Sequence, residues 1–184
     1  MSDYRQALSL SAKFHRGQKR KYNDEDYILH PIRVANILIP IFGVESEIVY
    51  AALLHDTIED CGLSDEDIDY IQSMFGDNVL KLIKEVTNIS QSDPILAQQN
   101  RKTRKAADLD KIRTISYLGM NIKAADRIDN LLDISDAPAG WVRKYVNESR
   151  ELCDVLINNT HPILIGMLAS VIESIDWRLR ETNE

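Results

Sequence analysis

The sequence predicts an all-α protein, and three observations carry that prediction. Apolar residues recur at helical rather than alternating spacing along the whole chain. Glycine and proline are scarce, 7 and 5 of 184 residues. No convincing pair of alternating segments is joined by a hairpin turn. Apolar residues make up 44% of the chain, enough for a hydrophobic core, beside an ordinary charged fraction of 28%. The length suits one domain over residues 1–184, with its motif-bearing part over about 1–140 and C-terminal helices over 141–184.

The elements follow in order. Tyr4, Ala7, Leu8 and Ala12 fit a first amphipathic helix ending near Gly17. Residues 18–29 have no helical pattern and read as a loop. Pro31 stands in the first turn of a helix through Val34, Ala35 and Leu38, closed by Pro40 and Gly43. From Ser46, the positions Ile48, Val49, Ala52, Leu53 and Ile58 predict one buried helix to Cys61-Gly62. Ser64 and Asp67 resemble a capping box opening a short helix to Met74, and Gly76 separates it from a helix through Val79, Leu82, Ile83 and Val86.

Residues 88–108 are polar and include the basic run Arg101, Lys102, Arg104, Lys105; they are expected to form a mobile loop. Helices are predicted after it near Leu109–Tyr117, through Ile122–Ile134, from about Ala139 to Ile157 and from Pro162 to about Arg180. The stripes Val142, Tyr145, Val146, Leu152, Val155, Leu156 and Leu164, Leu168, Val171, Ile172, Ile175 fit core packing, while leaving a homo-oligomer open.

A net charge of −7 argues against nucleic acid as a partner, which usually meets a basic face. A small anionic substrate stays compatible with it, held by a divalent cation and a local basic cluster. No apolar run approaches a membrane span, and the N-terminal stretch lacks the apolar core of a signal peptide, so a cytoplasmic protein is expected. Cys61 and Cys153, far apart, read as core or boundary residues rather than a disulfide or a metal pair.

The chemistry concentrates in three segments. His15 and His161 read as packed or surface histidines. His55 differs, because the stretch Ala51-Ala52-Leu53-Leu54-His55-Asp56-Thr57-Ile58-Glu59-Asp60 drives an apolar helix straight into four ionisable residues. Burying such groups without partners costs several kcal/mol, and imidazole and carboxylate are natural ligands for a metal that offsets the cost. Glu59 and Asp60 follow His55 and Asp56 by four residues, one turn or about 5.4 Å farther on, an offset suited to handling water or substrate. His30 precedes Pro31 at a helix start beside the basic Lys19, Arg20 and Lys21. In Ile122–Asn130, Asp126 and Asn130 lie four apart on one face of an otherwise apolar helix, with Arg127 beside Asp126.

Taken together, these segments resemble the HD superfamily, in particular the hydrolase domain of RelA/SpoT homologues and the small alarmone hydrolases. The likeness is carried by Phe14-His15-Arg16-Gly17-Gln18-Lys19-Arg20-Lys21 with Tyr27-Ile28-Leu29-His30-Pro31, by Ala51–Asp60 and by Ile122–Asn130. Phe75-Gly76-Asp77-Asn78-Val79 and Glu85-Val86-Thr87 add to it. The resemblance implies that His30, His55, Asp56 and Asp126 bind one Mn²⁺, that Glu59 and Asp60 position and activate the attacking water, and that Arg20, Lys21 and Asn130 contact the nucleotide. The implied reaction removes the 3′-pyrophosphate from guanosine tetra- or pentaphosphate. Two features depart from the family pattern: Asp129 stands where the family's Asp-Arg-Leu-His-Asn has histidine, and residues 23–26 (Asn-Asp-Glu-Asp) form an unusually acidic loop. Both are expected near the nucleotide, which leaves adenosine alarmones, the 2′-phosphate of NADPH, or non-catalytic nucleotide sensing as alternatives.

Overall fold

The computed structural model describes residues 3–134 and 136–181. Its helices are α1 (Asp3–Phe14), α2 (Leu29–Phe42), α3 (Glu47–Leu54), α4 (Thr57–Asp60), α5 (Asp65–Val86), α6 (Ile89–Ser92), α7 (Pro94–Ala97), α8 (Arg101–Ile112), α9 (Tyr117–Leu132), α10 (Ala139–Leu156) and α11 (Pro162–Glu181). Among the described residues there is no strand, only an isolated antiparallel bridge between Lys19 and Asp26. None of these helices is long and apolar enough to cross a membrane.

Two helices form the centre. In α3 every residue from Ile48 to Leu54 is buried, so the helix is apolar all round rather than along one stripe. It packs against α1, α2, α5 and α9. Helix α9 buries Ile122, Ala124, Ala125, Ile128 and Leu131 and touches α2, α3, α5, α10 and α11. The C-terminal stripes are core as expected: Val142, Val146, Leu152 and Leu156 of α10 and Leu164, Leu168, Ile172 and Ile175 of α11 are buried.

Local signals account for several boundaries. Ser64 Oγ accepts the Asp67 N–H while Asp67 Oδ2 accepts the Ser64 N–H, the reciprocal pair of a capping box. Gly76 (φ 84°, ψ 172°) breaks α5, a conformation that only glycine adopts without strain. Pro40 lies inside α2, which runs on to Phe42.

Three expectations need correction. Residues 88–108 are not one loop; they form α6, α7 and most of α8. Their polar residues are used internally: Asn100 and Asp93 cap α8 and α7, and buried Asp108 accepts hydrogen bonds from the N–H and Oγ of Ser90 at 2.9 and 2.8 Å. Arg101 reaches Glu148 of α10 through two bonds of 2.8 and 2.9 Å. The helix expected over Leu109–Tyr117 is therefore the end of α8, and α9 starts at Tyr117, where Ser116 Oγ accepts the Gly119 N–H. Finally, the helix expected from Ser46 to Cys61 breaks at His55-Asp56 into α3 and α4.

Candidate metal centre and nucleotide pocket

The break between α3 and α4 shapes the centre. At its end, His55 Nδ1 lies 2.8 Å from the carbonyl of Ala52. A carbonyl can only accept, so Nδ1 carries the hydrogen and Nε2 is left facing inward. That Nε2 is buried, 3.0 Å from Asp56 Oδ2, and makes no hydrogen bond. His30, at the start of α2, brings its Nε2 to 3.3 Å from both Asp56 Oδ2 and Asp126 Oδ1. Asp126 Oδ1 is also 3.8 Å from His55 Nε2. Ligand atoms of His30, His55 and Asp56 all lie within 4.8 Å of one another.

Two imidazoles and two carboxylates thus converge from α2, the α3–α4 junction and α9. An orphaned, buried imidazole nitrogen among carboxylates is what a divalent cation would satisfy, and this donor set fits one. The charges at this centre are strongly coupled. Burial opposes a charge on His55, but Asp56 and Asp126 outweigh it and hold the imidazole at about 9. Burial likewise opposes ionisation of Asp56 and Asp126, yet the histidines keep both well below the usual carboxylate range.

Glu59 and Asp60 stand beside this centre on α4. Glu59 Oε2 accepts the backbone N–H of Asn88 and Oε1 its side-chain amide. The Tyr27 hydroxyl lies 2.7 Å from Asp56 Oδ2 and 2.8 Å from Asp60 Oδ2, tying the two layers together. Both Glu59 and Asp60 are pushed above the ordinary carboxylate range, chiefly by burial, with the Asp56 charge adding to it.

These groups line a cavity of about 180 Å³ together with Lys105, Arg127 and Lys123, whose Nζ lies 3.6 Å from Asp126 Oδ2. Burial, and then the neighbouring Arg127, lower the Lys105 ammonium from its usual range. Tyr27, Asn130 and Tyr145 also line a second cavity of about 280 Å³, with Lys19, Arg20, Lys21, Tyr22 and Trp141. There Trp141 and Tyr145 stack with centroids 4.8 Å apart, and Tyr22 tilts onto Trp141 at 5.2 Å.

Every predicted site residue therefore lines one of the two cavities or, for His30 and His55, packs against Asp56 and Asp126 of the first. The basic residues differ in how free they are. The Arg20 guanidinium is engaged, donating to Asp133 Oδ2 at 2.7 Å and to Asn130 Oδ1 at 2.8 Å. Asn130 in turn donates to Asp126 Oδ1 at 2.5 Å, so it bridges the ligand helix and the basic segment. His15 is a packed histidine, buried, 2.7 Å from Gln18 and stacked on Tyr27.

Sequence reasoning missed Tyr27, Tyr22, Trp141, Tyr145, Lys105 and Lys123 as cavity residues. Tyr145 sat within a stripe that otherwise proved to be core. Lys105 belonged to a basic run in a segment expected to be loop.

Residues 7–159 match the HD domain family. The chain belongs to that family. Among its relatives is human MESH1, a guanosine-3′,5′-bis(diphosphate) 3′-pyrophosphohydrolase, 36% identical over 146 residues that cover 78% of this chain and 76% of MESH1. A probable chloroplastic GTP diphosphokinase from Arabidopsis thaliana, RSH3, is 34% identical over 158 residues. This HD-domain chain spans about a fifth of that protein, 21% of its length against 83% of its own. A solved structure described as a metazoan ortholog of SpoT that hydrolyzes ppGpp superposes with a TM-score of 0.79 at 27% identity, covering 95% of this chain and 96% of the other. The all-α HD bundle read from the sequence is thus shared with that solved structure.

Proposed function

We propose that this chain is a metal-dependent 3′-pyrophosphohydrolase of guanosine alarmones, converting ppGpp or pppGpp to GDP or GTP and pyrophosphate. The observation that carries the reading is the buried convergence of His30, His55, Asp56 and Asp126 beside Glu59-Asp60, opening onto a basic and aromatic cavity. It is supported by the matching activity of the MESH1 relatives along most of their length. We further propose that residues 1–184 act as one HD domain; positions 1–2, 135 and 182–184 lie outside the described residues.

In this reading His30, His55, Asp56 and Asp126 hold one divalent cation, Mn²⁺. When bound, such an ion lowers the pKa of a coordinated water and polarises a phosphoryl oxygen. The remaining work falls to the chain. Trp141, backed by Tyr145 on one side, supplies the aromatic surface for the base, and Lys21, Arg20 and Asn130 border it. Lys105, Lys123 and Arg127 offset the charge of the phosphates in the first cavity. Glu59, held at both oxygens by Asn88, orients the water for attack on the phosphorus nearest the ribose. The Glu59-Asp60 pair takes the proton of that water. The O3′–P bond breaks, pyrophosphate leaves, and the proton is available to O3′. Burial raises both carboxylates, which makes each a stronger base than its surface counterpart.

The test is product release from ppGpp, pppGpp, ppApp and NADPH, each with Mn²⁺ and with chelator. Mn²⁺-dependent pyrophosphate release from the guanosine compounds supports the reading. Turnover of ppApp or NADPH alone would keep the hydrolase and discard the guanosine substrate. Nucleotide binding without product would replace it with a sensor.

A further inference from the structure

The acidic residue that departs from the family pattern, Asp129, does not face the nucleotide cavities. Its Oδ2 lies 2.7 Å from Nδ1 of His30, and its side chain is only 3% exposed beside an imidazole that is 1% exposed. Its Oδ1 accepts Nε–H of Arg33 at 2.6 Å, and Arg33 Nη1 donates to Glu25 Oε2 at 2.5 Å. Asp129 follows Asp126 by three residues on α9, and Arg33 follows His30 by three on α2. One face of each helix therefore supplies a proposed ligand and then a member of the chain that supports it.

We infer that Asp129 is the positioning residue of His30: its carboxylate accepts the Nδ1 hydrogen and so aims Nε2, with its lone pair, at the divalent cation. This rests on the ligand set proposed above. A histidine that coordinates through Nε2 must keep its hydrogen on Nδ1, and a hydrogen-bonded carboxylate both fixes that arrangement and raises the basicity of the ring. His55 receives the same orientation from the Ala52 carbonyl, a neutral acceptor. The two ligand histidines are thus aimed by different means, one from its own helix and one across 99 residues of sequence.

With both oxygens engaged, Asp129 cannot rotate away. Glu25 extends the chain into the segment that carries Arg20, whose N–H donates to the Glu25 carbonyl at 2.8 Å. Of the acidic 23–26 segment, Glu25 thus joins this chain through Arg33, while Asp26 pairs with Lys19 at the surface and Asn23 with Asp133.

The test is calorimetric titration of Mn²⁺ into chelator-stripped protein, comparing wild type with D129A, D129N, D129L and H30A, with far-UV circular dichroism to verify folding. The expected result is that D129A binds Mn²⁺ roughly 10–100-fold more weakly, the range seen when such supporting partners are removed. D129N, whose amide oxygen can still accept the Nδ1 hydrogen without the charge, should recover part of that loss. H30A should lose binding outright. D129A binding as tightly as wild type while H30A fails would overturn the positioning role alone. H30A binding like wild type would overturn the ligand set, and the inference with it. If D129A does not fold, D129L, which fills the site but cannot accept the Nδ1 hydrogen, decides: affinity equal to wild type overturns the role, and weakened affinity supports it.

Discussion

Asn88 grips Glu59 twice, donating its backbone N–H to Oε2 at 2.9 Å and its side-chain amide to Oε1 at 3.0 Å. The residue just past α5 thereby decides where a proposed catalytic carboxylate points. Replacing Asn88 by Ala removes one of the two bonds and leaves the other. We expect kcat to fall about tenfold, equivalent to roughly 1.4 kcal/mol of transition-state stabilisation, with bound metal unchanged. Steady-state kinetics alongside elemental analysis would check this; an unaltered kcat would show that Glu59 does not depend on its second anchor.

Glu59 and Asp60 themselves should matter far more. Glu59→Gln with Asp60→Asn keeps the volume but removes both proton acceptors, and turnover should drop by roughly 10²–10⁴. Metal content should stay at the wild-type level, because neither residue belongs to the proposed ligand set. Full activity in the double variant would sink the proposed mechanism.

Metal removal should be visible in stability. A ligand at about a hundred times its Kd stabilises the folded state by roughly 2.7 kcal/mol, which for a chain of this size is about 5–10 °C in Tm. Adding Mn²⁺ to chelator-stripped wild type should raise Tm by that order. His55→Ala should show no such response. A Tm indifferent to Mn²⁺ in the wild type would argue against a built cation site.

Trp141 stacks on Tyr145 in the cavity assigned to the base. Stacking on an aromatic is worth roughly 1–3 kcal/mol per base, so Trp141→Ala should raise KM by about 5- to 150-fold while leaving kcat within a small factor. An effect on kcat alone would place the base elsewhere.

Cys61 gives a pH-dependent prediction outside the centre. Burial pushes its thiol up to about 11, and Asp60 and Asp56 reinforce the shift. The thiolate, the reactive form, is therefore scarce near neutrality. Iodoacetamide labelling at this position should rise about tenfold per pH unit from 8 to 10 and level off only near 11, where an unperturbed thiol levels off near 8.5. Mass spectrometry of the labelled peptide would follow it, and a plateau at pH 9 would contradict the buried setting.

The sequence by itself determined the helical class, the core stripes of α10 and α11, the capping box at Ser64, the break at Gly76 and the polar interruption at His55–Asp60; the full set His30, His55, Asp56 and Asp126 came from the family resemblance. Those signals are local: a helix repeats every 3.6 residues, and an apolar helix interrupted by His55, Asp56, Glu59 and Asp60 announces a buried polar cluster within a few positions. Segment 88–108 misled because residues such as Asn100 and Asp108 look solvent-seeking until their capped and buried partners are known. Only the tertiary structure decided which polar groups meet. Arg20 with Asp133, His30 with Asp129 and Glu59 with Asn88 are 113, 99 and 29 residues apart. No periodicity encodes such pairings, because they arise where helix ends from distant parts of the chain pack together, and burial then makes each hydrogen bond obligatory. Asp129 illustrates the difference: its identity marked it as unusual in the sequence, and the packing of α9 against α2 turned it toward a histidine rather than a nucleotide.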